Sequence, residues 1–267
     1  IEQSADAPNY FDKSIKVTVT TAESSIAAND FNQLLYQMEG QDIAPLAYGT
    51  GDAKPMVFSF WVKASVTGSF PFSVQNQNGS RVFPSRYTVN NANTWEYKTI
   101  SIAGDTGGTW NTSGNTLGLR FTFLWLSGSN YTGGIADGGW KSTSNYVNLT
   151  STYTAPINTA NATLQITGVQ METGKVATPF EHRSFGEELA LCQRYYERFD
   201  ASGNFYTAVS SANNPRINGT WMVAKRVAPT MTATGGWAMG GVIYGYEGYH
   251  ATASDRVTPS WTADAEL

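Results

Sequence analysis

Cysteine, histidine and charge are all scarce in this 267-residue chain: one Cys, two His and a charged fraction of 14%. A lone cysteine, Cys192, excludes an internal disulfide, so packing or association must supply the stability. His182 and His250 lie far apart, without an HExxH or CxxC pattern, which excludes the familiar zinc frameworks. Lys and Arg number 17 against 21 Asp and Glu, for a net charge of −4, and they are scattered rather than gathered in a stripe. Phosphate-backbone binding therefore has no electrostatic footprint, and nucleic acid is set aside as a partner. There is no run of about 18 apolar residues and no charged-then-apolar leader in IEQSADAPNYF, so neither membrane insertion nor an export signal is read. GxSxG is missing too, and GDTGG at 104–108 lacks the GK[ST] ending of a phosphate loop.

Aromatic and small polar residues fill the space instead, with 13 Phe, 14 Tyr, 8 Trp and 26 Gly. Their order follows a period of two. Ile15, Val17 and Val19 alternate with Lys16 and Thr18, and Met56, Phe58, Phe60 and Val62 alternate with Val57, Ser59, Trp61 and Lys63; Phe70, Phe72 and Val74 make another such row. Leu117, Leu119, Phe121, Phe123 and Trp125 form the longest inward row, while Leu164 and Ile166 shift phase to Val169 and Met171 at Gly168, which reads as a bulge. Glycine-rich polar spans separate these runs, at 49–55, 75–81, 103–115 and 127–140. Such strands and turns predict an all-β jelly-roll sandwich over 1–183. One helix interrupts the pattern. Ser184 with Glu187 forms a capping box, and Phe185, Leu189, Cys192, Tyr196 and Phe199 fall on one stripe, predicting a helix over 185–199 within a linking segment 184–203. Short runs, FYTAVSS, TWMVAKR, PTMTAT and GGVIYGYEGYH, then predict a small antiparallel β domain over 204–267.

The segments KVTVTTAESSIAANDF, YQMEGQDIAPLAYGTGDAKPMVFSFWVKAS, TWEYKTISIAGDTGGTW, ITGVQMETGKVATPFEHRSFGEELALCQRYYERF and TADAEL together resemble the carboxyl-terminal regions of phage tail-fibre and receptor-binding proteins. The part before 184 is also similar, more loosely, to jelly-roll carbohydrate-binding modules. The resemblance implies a virion component, homotrimeric as fibres usually are, joined to other virion tail proteins and facing a glycan on the host cell surface. The abrupt start at Ile1 reads as a piece of a longer fibre. Jelly-roll modules often hold a structural calcium ion, for which Glu39, Asp42 and Glu172 are the carboxylates here, without the spacing of a dedicated calcium loop.

No catalytic residue emerges from the sequence. Polysaccharide hydrolysis needs two carboxylates about 5–10 Å apart, and Asp105, Asp137, Glu172 and Glu181 are candidates in number only. Cys192 lies on the apolar stripe and reads as a core residue, and His182, between Glu181 and Arg183, reads as a polar corner. Aromatics are the remaining signal, because sugar rings stack their apolar faces on Trp and Tyr while amides and carboxylates hold their hydroxyls. Trp61, on the polar side of its strand, Trp110, Tyr131, Trp140 and Tyr146 in glycine-rich loops, and Tyr244, Tyr246 and Tyr249 near the end are the candidate glycan-binding residues. Each competes with a packing reading, the commoner fate of large aromatics. Trp95, Trp125 and Trp221 are expected in the core. Three readings stay open: glycan attachment without chemistry, a purely structural trimerisation element, and a depolymerase.

Overall fold

A computed structural model describes residues 1–131, 137–142, 153–200, 216–234, 236–250 and 260–266. The chain divides into two compact units, Ile1–Glu181 and His182–Leu267.

The first unit is a sandwich of two five-stranded antiparallel sheets. One has the order β1 (Glu2–Ser4), β2 (Ser14–Thr18), β10 (Thr163–Thr173), β4 (Met56–Ala64), β7 (Glu96–Ile102). The other has the order β3 (Phe31–Glu39), β8 (Leu117–Ser127), β5 (Gly68–Asn76), β6 (Arg81–Val89), β9 (Lys141–Ser142). The chain changes sheet between most successive strands, the jelly-roll habit, so each sheet is assembled from distant segments. Period-two alternation aims one apolar row per strand at the facing sheet. Phe58 and Phe60 of β4 meet Phe72 of β5 and Phe121 and Phe123 of β8, with centroids 4.8–5.1 Å apart for three edge-to-face pairs. All of these rings are buried. Each contributes about 2–3 kcal/mol by burial, and favourable ring pairs add about 1 kcal/mol.

The bulge stands where the phase change predicted it. Gly168 has φ +59°, and the β10–β4 register shifts between Thr167 and Gln170. A Cβ there would lie 2.6 Å from the Phe11 ring, so the left-handed backbone and the close ring both require glycine. Strands β3, β6 and β7 were not legible from alternation. In β6, Pro84 looks like a strand breaker, yet it stays in register with Ser73 of β5, and on its other side its carbonyl accepts from the Gly138 N–H at 2.8 Å beyond the described β9 ladder at Arg81 and Val82, so no ladder bond there needs the N–H that proline lacks. Trp95, expected in the core, is half-buried just before β7 and donates from Nε1 to Asp6 Oδ1 at 3.0 Å.

In the second unit, helix α2 spans Phe185–Gln193, following the short α1 (Gly40–Ile43) of the first unit. The capping box is present: Ser184 Oγ accepts from Glu187 N–H at 3.3 Å, and Glu187 Oε2 accepts from Ser184 N–H at 3.0 Å. The helix stops six residues short of the predicted end, because Tyr196–Asp200 become β11 and pair with β16 (Ser260–Asp264). There Phe199 stacks on Trp261 at 5.3 Å and 13°, a contact that outweighs local helix preference. The predicted stripe is thus cut in two, and Phe185, Leu189 and Cys192 are exposed rather than core. Among the described residues the unit also holds two three-stranded sheets: β11, β16, β13 (Thr230–Ala233), and β12 (Arg216–Thr220), β15 (Gly245–His250), β14 (Trp237–Val242). TWMVAKR is not a strand beyond Thr220. Trp221 instead enters the core, and the buried Lys225 ammonium sits 4.8 Å from its ring, hydrogen-bonded to Glu197 Oε2 at 2.7 Å and to the Gln193 carbonyl. FYTAVSS lies outside the described residues.

On the outer face of the β1–β7 sheet, Asp6 Oδ2 accepts from Lys63 Nζ at 2.7 Å and Gln165 Nε2 at 3.1 Å. The Lys63 bond first, then those of Trp95 and Gln165, hold the Asp6 carboxyl down from 3.8 to about 2. Glu96 is likewise lowered from 4.5 to about 2: burial raises it, but Lys98 and the Asn90 and Asn91 amides outweigh that. Depressed folded-state values mean stability that is present above the unfolded pKa values and lost as pH falls through the folded ones. The melting temperature of the first unit is therefore expected to be level above pH about 4.5 and to fall between pH about 4 and 2. An Asp6→Asn/Glu96→Gln variant should show a clearly shallower fall in a pH series of thermal unfolding, and an equal fall would contradict this assignment.

Candidate functional site

The loop aromatics of the first unit converge, but on one another. Trp110 is buried, with its ring edge-on to Tyr48 at 4.8 Å and to Trp140 at 5.2 Å. Trp140 also meets Phe83 at 5.5 Å and donates from Nε1 to the Ala103 carbonyl at 2.7 Å. Asp105, itself buried, anchors the cluster. Its Oδ2 accepts from Trp110 Nε1 at 3.0 Å and Arg81 Nε at 2.8 Å, while its Oδ1 takes Arg81 Nη2 and the Gly107 N–H. That pairing raises the Arg81 pKa, and burial followed by the Asp105 charge pushes the Tyr48 hydroxyl well above its usual range. A glycine-rich loop carrying 13 residues of turn chemistry is thereby fixed to the rim of the sandwich.

The other candidates divide in the same way. Tyr131 is half-buried, edge-on to Phe31 at 5.4 Å and packed on Leu124. Tyr246 fills the second core between Trp221 and Trp261, at 4.9 and 5.0 Å, and its ring lies over Gly219, where a Cβ would come within 2.6 Å of its hydroxyl. Trp61 lies half-buried on an outer sheet face, tilted against its cross-strand neighbour Tyr97 at 5.4 Å. Tyr146 lies outside the described residues. Tyr244 is exposed in the two-residue turn joining β14 to β15. Tyr249 is 50% exposed on the middle strand of its sheet.

Around Tyr249 the register assembles groups that spacing alone does not connect. Asn218 of β12 and Gly240 of β14 flank Glu247 of β15, two residues from Tyr249 and on the same outward face. Asn218, Glu247 and Gly240 are exposed, and with Tyr249 they line an open depression of ≈ 530 Å³. A Cβ at Gly240 would meet nothing nearer than Glu247 Cγ at 4.0 Å, so the floor beside the carboxylate is open. A half-exposed aromatic, a carboxylate and a primary amide on one bare sheet face can stack on a ring and hold its hydroxyls. Glu247 and Asn218 escaped the sequence reading because they lie 29 residues apart and meet only through the strand order β12–β15.

Among the described residues, no three His, Cys, Asp or Glu side chains converge as a metal-holding group, and Glu39, Asp42 and Glu172 are not brought together as one. Glu172 binds the Thr178 hydroxyl at 2.5 Å and its N–H at 3.0 Å, and Asp137 is paired with Arg86. Burial, then the Glu188 and Glu266 charges, push the Cys192 thiol up, away from a reactive thiolate. The chain matches no protein-family model and no curated protein.

If Asp105 is the anchor of the rim cluster, Asp105→Asn leaves the Arg81 guanidinium without its counter-charge. Urea unfolding should then show a loss of about 3 kcal/mol. A loss under about 0.5 kcal/mol, the size expected of an ordinary surface change, would contradict that role.

Proposed function

We propose that this chain is a non-enzymatic phage tail-fibre component that attaches the virion to the host cell surface by binding a surface glycan. The observation that carries this reading is the open face bearing Tyr249, Glu247 and Asn218. There an aromatic ring and hydrogen-bonding groups stand exposed around an open depression. The tail-fibre resemblance supplies the biological setting, and the face supplies the recognition chemistry. Binding rather than cleavage is favoured because Asp105, Asp137 and Glu172 are already engaged by Arg81, Arg86 and Thr178. Glu247 faces the depression as a hydrogen-bond acceptor for sugar hydroxyls.

A second reading, a structural trimerisation element with no ligand, draws on α2. Phe185 and Leu189, one turn apart on the same side of that helix, are exposed, as a face kept for neighbouring subunits would be.

A glycan array of bacterial surface oligosaccharides, probed with the full chain, separates the readings. Selective binding that falls roughly tenfold in Tyr249→Ala and persists in Trp61→Ala is expected, since one stacked ring is worth about 1 kcal/mol or more. Binding that is unchanged in Tyr249→Ala would remove the site. Binding to no glycan would favour the structural reading, and release of oligosaccharide into solution would make the chain a depolymerase.

A further inference from the structure

Among the described residues, β3 is the longest edge strand of the first unit, and it is the least defended. It spans nine residues and pairs with β8 alone among the described strands. Natural sheets blunt such edges with charge, proline, bulges or shortness. Among the described residues, the edge strands β1 and β7 do so: β1 has three residues and carries Glu2, and β7 carries Glu96 and Lys98. In β3, FNQLLYQME, the only charge is the buried terminal Glu39, and there is no proline. Its two register shifts lie at the ends, leaving Gln33 to Met38 in unbroken register with β8. Phe31 at 50% and Leu35 at 38% are exposed on it. Behind it the sandwich is also open, for Ile15 of β2 and Leu34 of β3 line one cavity of ≈ 550 Å³ between the sheets.

The residues of β3 say what fits the edge. Turned about Leu35, the strand is its own antiparallel complement: Gln33 falls opposite Gln37, Leu34 opposite Tyr36, and Leu35 opposite itself. The two amide pairs can exchange hydrogen bonds across the outer face, and the Leu34 and Tyr36 pairs extend the apolar inner face. No like charges meet anywhere in the overlap, since its one charged residue, Glu39, falls opposite Phe31. We infer that β3 is an isologous interface, pairing with β3 of a second copy of this chain to make one continuous ten-stranded sheet, five strands from each copy. The two-fold contact is separate from any three-fold fibre axis, so an assembly containing it holds an even number of copies.

Sedimentation equilibrium of the full chain is the test. Two copies, or six where a three-fold contact is also made, are expected. Leu35→Lys sets two ammonium groups face to face and should raise the dissociation constant at least about tenfold with far-UV circular dichroism unchanged. Gln33→Lys/Gln37→Glu, which places opposite charges across the same axis, should stay associated, whereas Gln33→Lys/Gln37→Lys should come apart. One or three copies of the unmodified chain would overturn the inference. So would an even-numbered assembly that both the Leu35→Lys and the double-lysine variants leave intact.

Discussion

Everything in the first unit depends on the interlocking of phenylalanine rings between its two sheets. Phe58 and Phe60 from one sheet and Phe72, Phe121 and Phe123 from the other come from segments up to 65 residues apart, and only β4 and β5 among their strands are joined by a short turn. With no disulfide available, this burial is what fixes the strand order, and the strand order in turn positions every loop. The rim follows from it. Once β5, β6 and β8 are in place, Arg81 and Asp105 meet, and Asp105 collects Trp110 and the turn at Gly107. A glycine-rich loop whose Trp110 reads as a glycan-binding candidate becomes an extension of the core.

That outcome narrows where recognition is to be sought. Aromatic residues in polar loops carry two opposite meanings, and the hydrogen bonds of their polar edges separate them. The indole N–H groups of Trp110 and Trp140 are spent on Asp105 and on the Ala103 carbonyl, so these rings belong to packing. Tyr249 instead presents a half-exposed ring on a sheet whose neighbouring positions on the β14 side are small, Ala238 and Gly240. Glycine on the flanking strand removes the side chain that would otherwise shield the platform.

Much of the architecture was legible in alternation, and what escaped did so for identifiable reasons. The rows 56–62, 70–74 and 117–125, the bulge at Gly168 and the cap at Ser184 each rest on a local rule that the fold leaves intact. Strands β3 and β6 hid because one mixes amides with apolar residues on both faces and the other contains Pro84, which is tolerated because the edge beside it uses its carbonyl, through Gly138, and not the N–H it lacks. The end of α2 was misplaced because Tyr196 and Phe199 suit a helical stripe and a strand equally, and the partner that decides, Trp261, lies 62 residues beyond Phe199. Within the candidate site, Tyr249 was visible as an aromatic in a glycine-rich run. Glu247 and Asn218 became its companions only through sheet register.

The most direct test of the account is to map where a glycan touches the chain. Backbone amide shifts of the isotope-labelled protein, followed during titration with the tightest-binding oligosaccharide of the array, report this without altering a residue. The account predicts the largest changes at Asn218, Gly240, Glu247 and Tyr249, with the rim from Gly104 to Trp110 unmoved. Shifts concentrated at Trp110, Trp140 and their loop, with the β12–β15–β14 face silent, would contradict it.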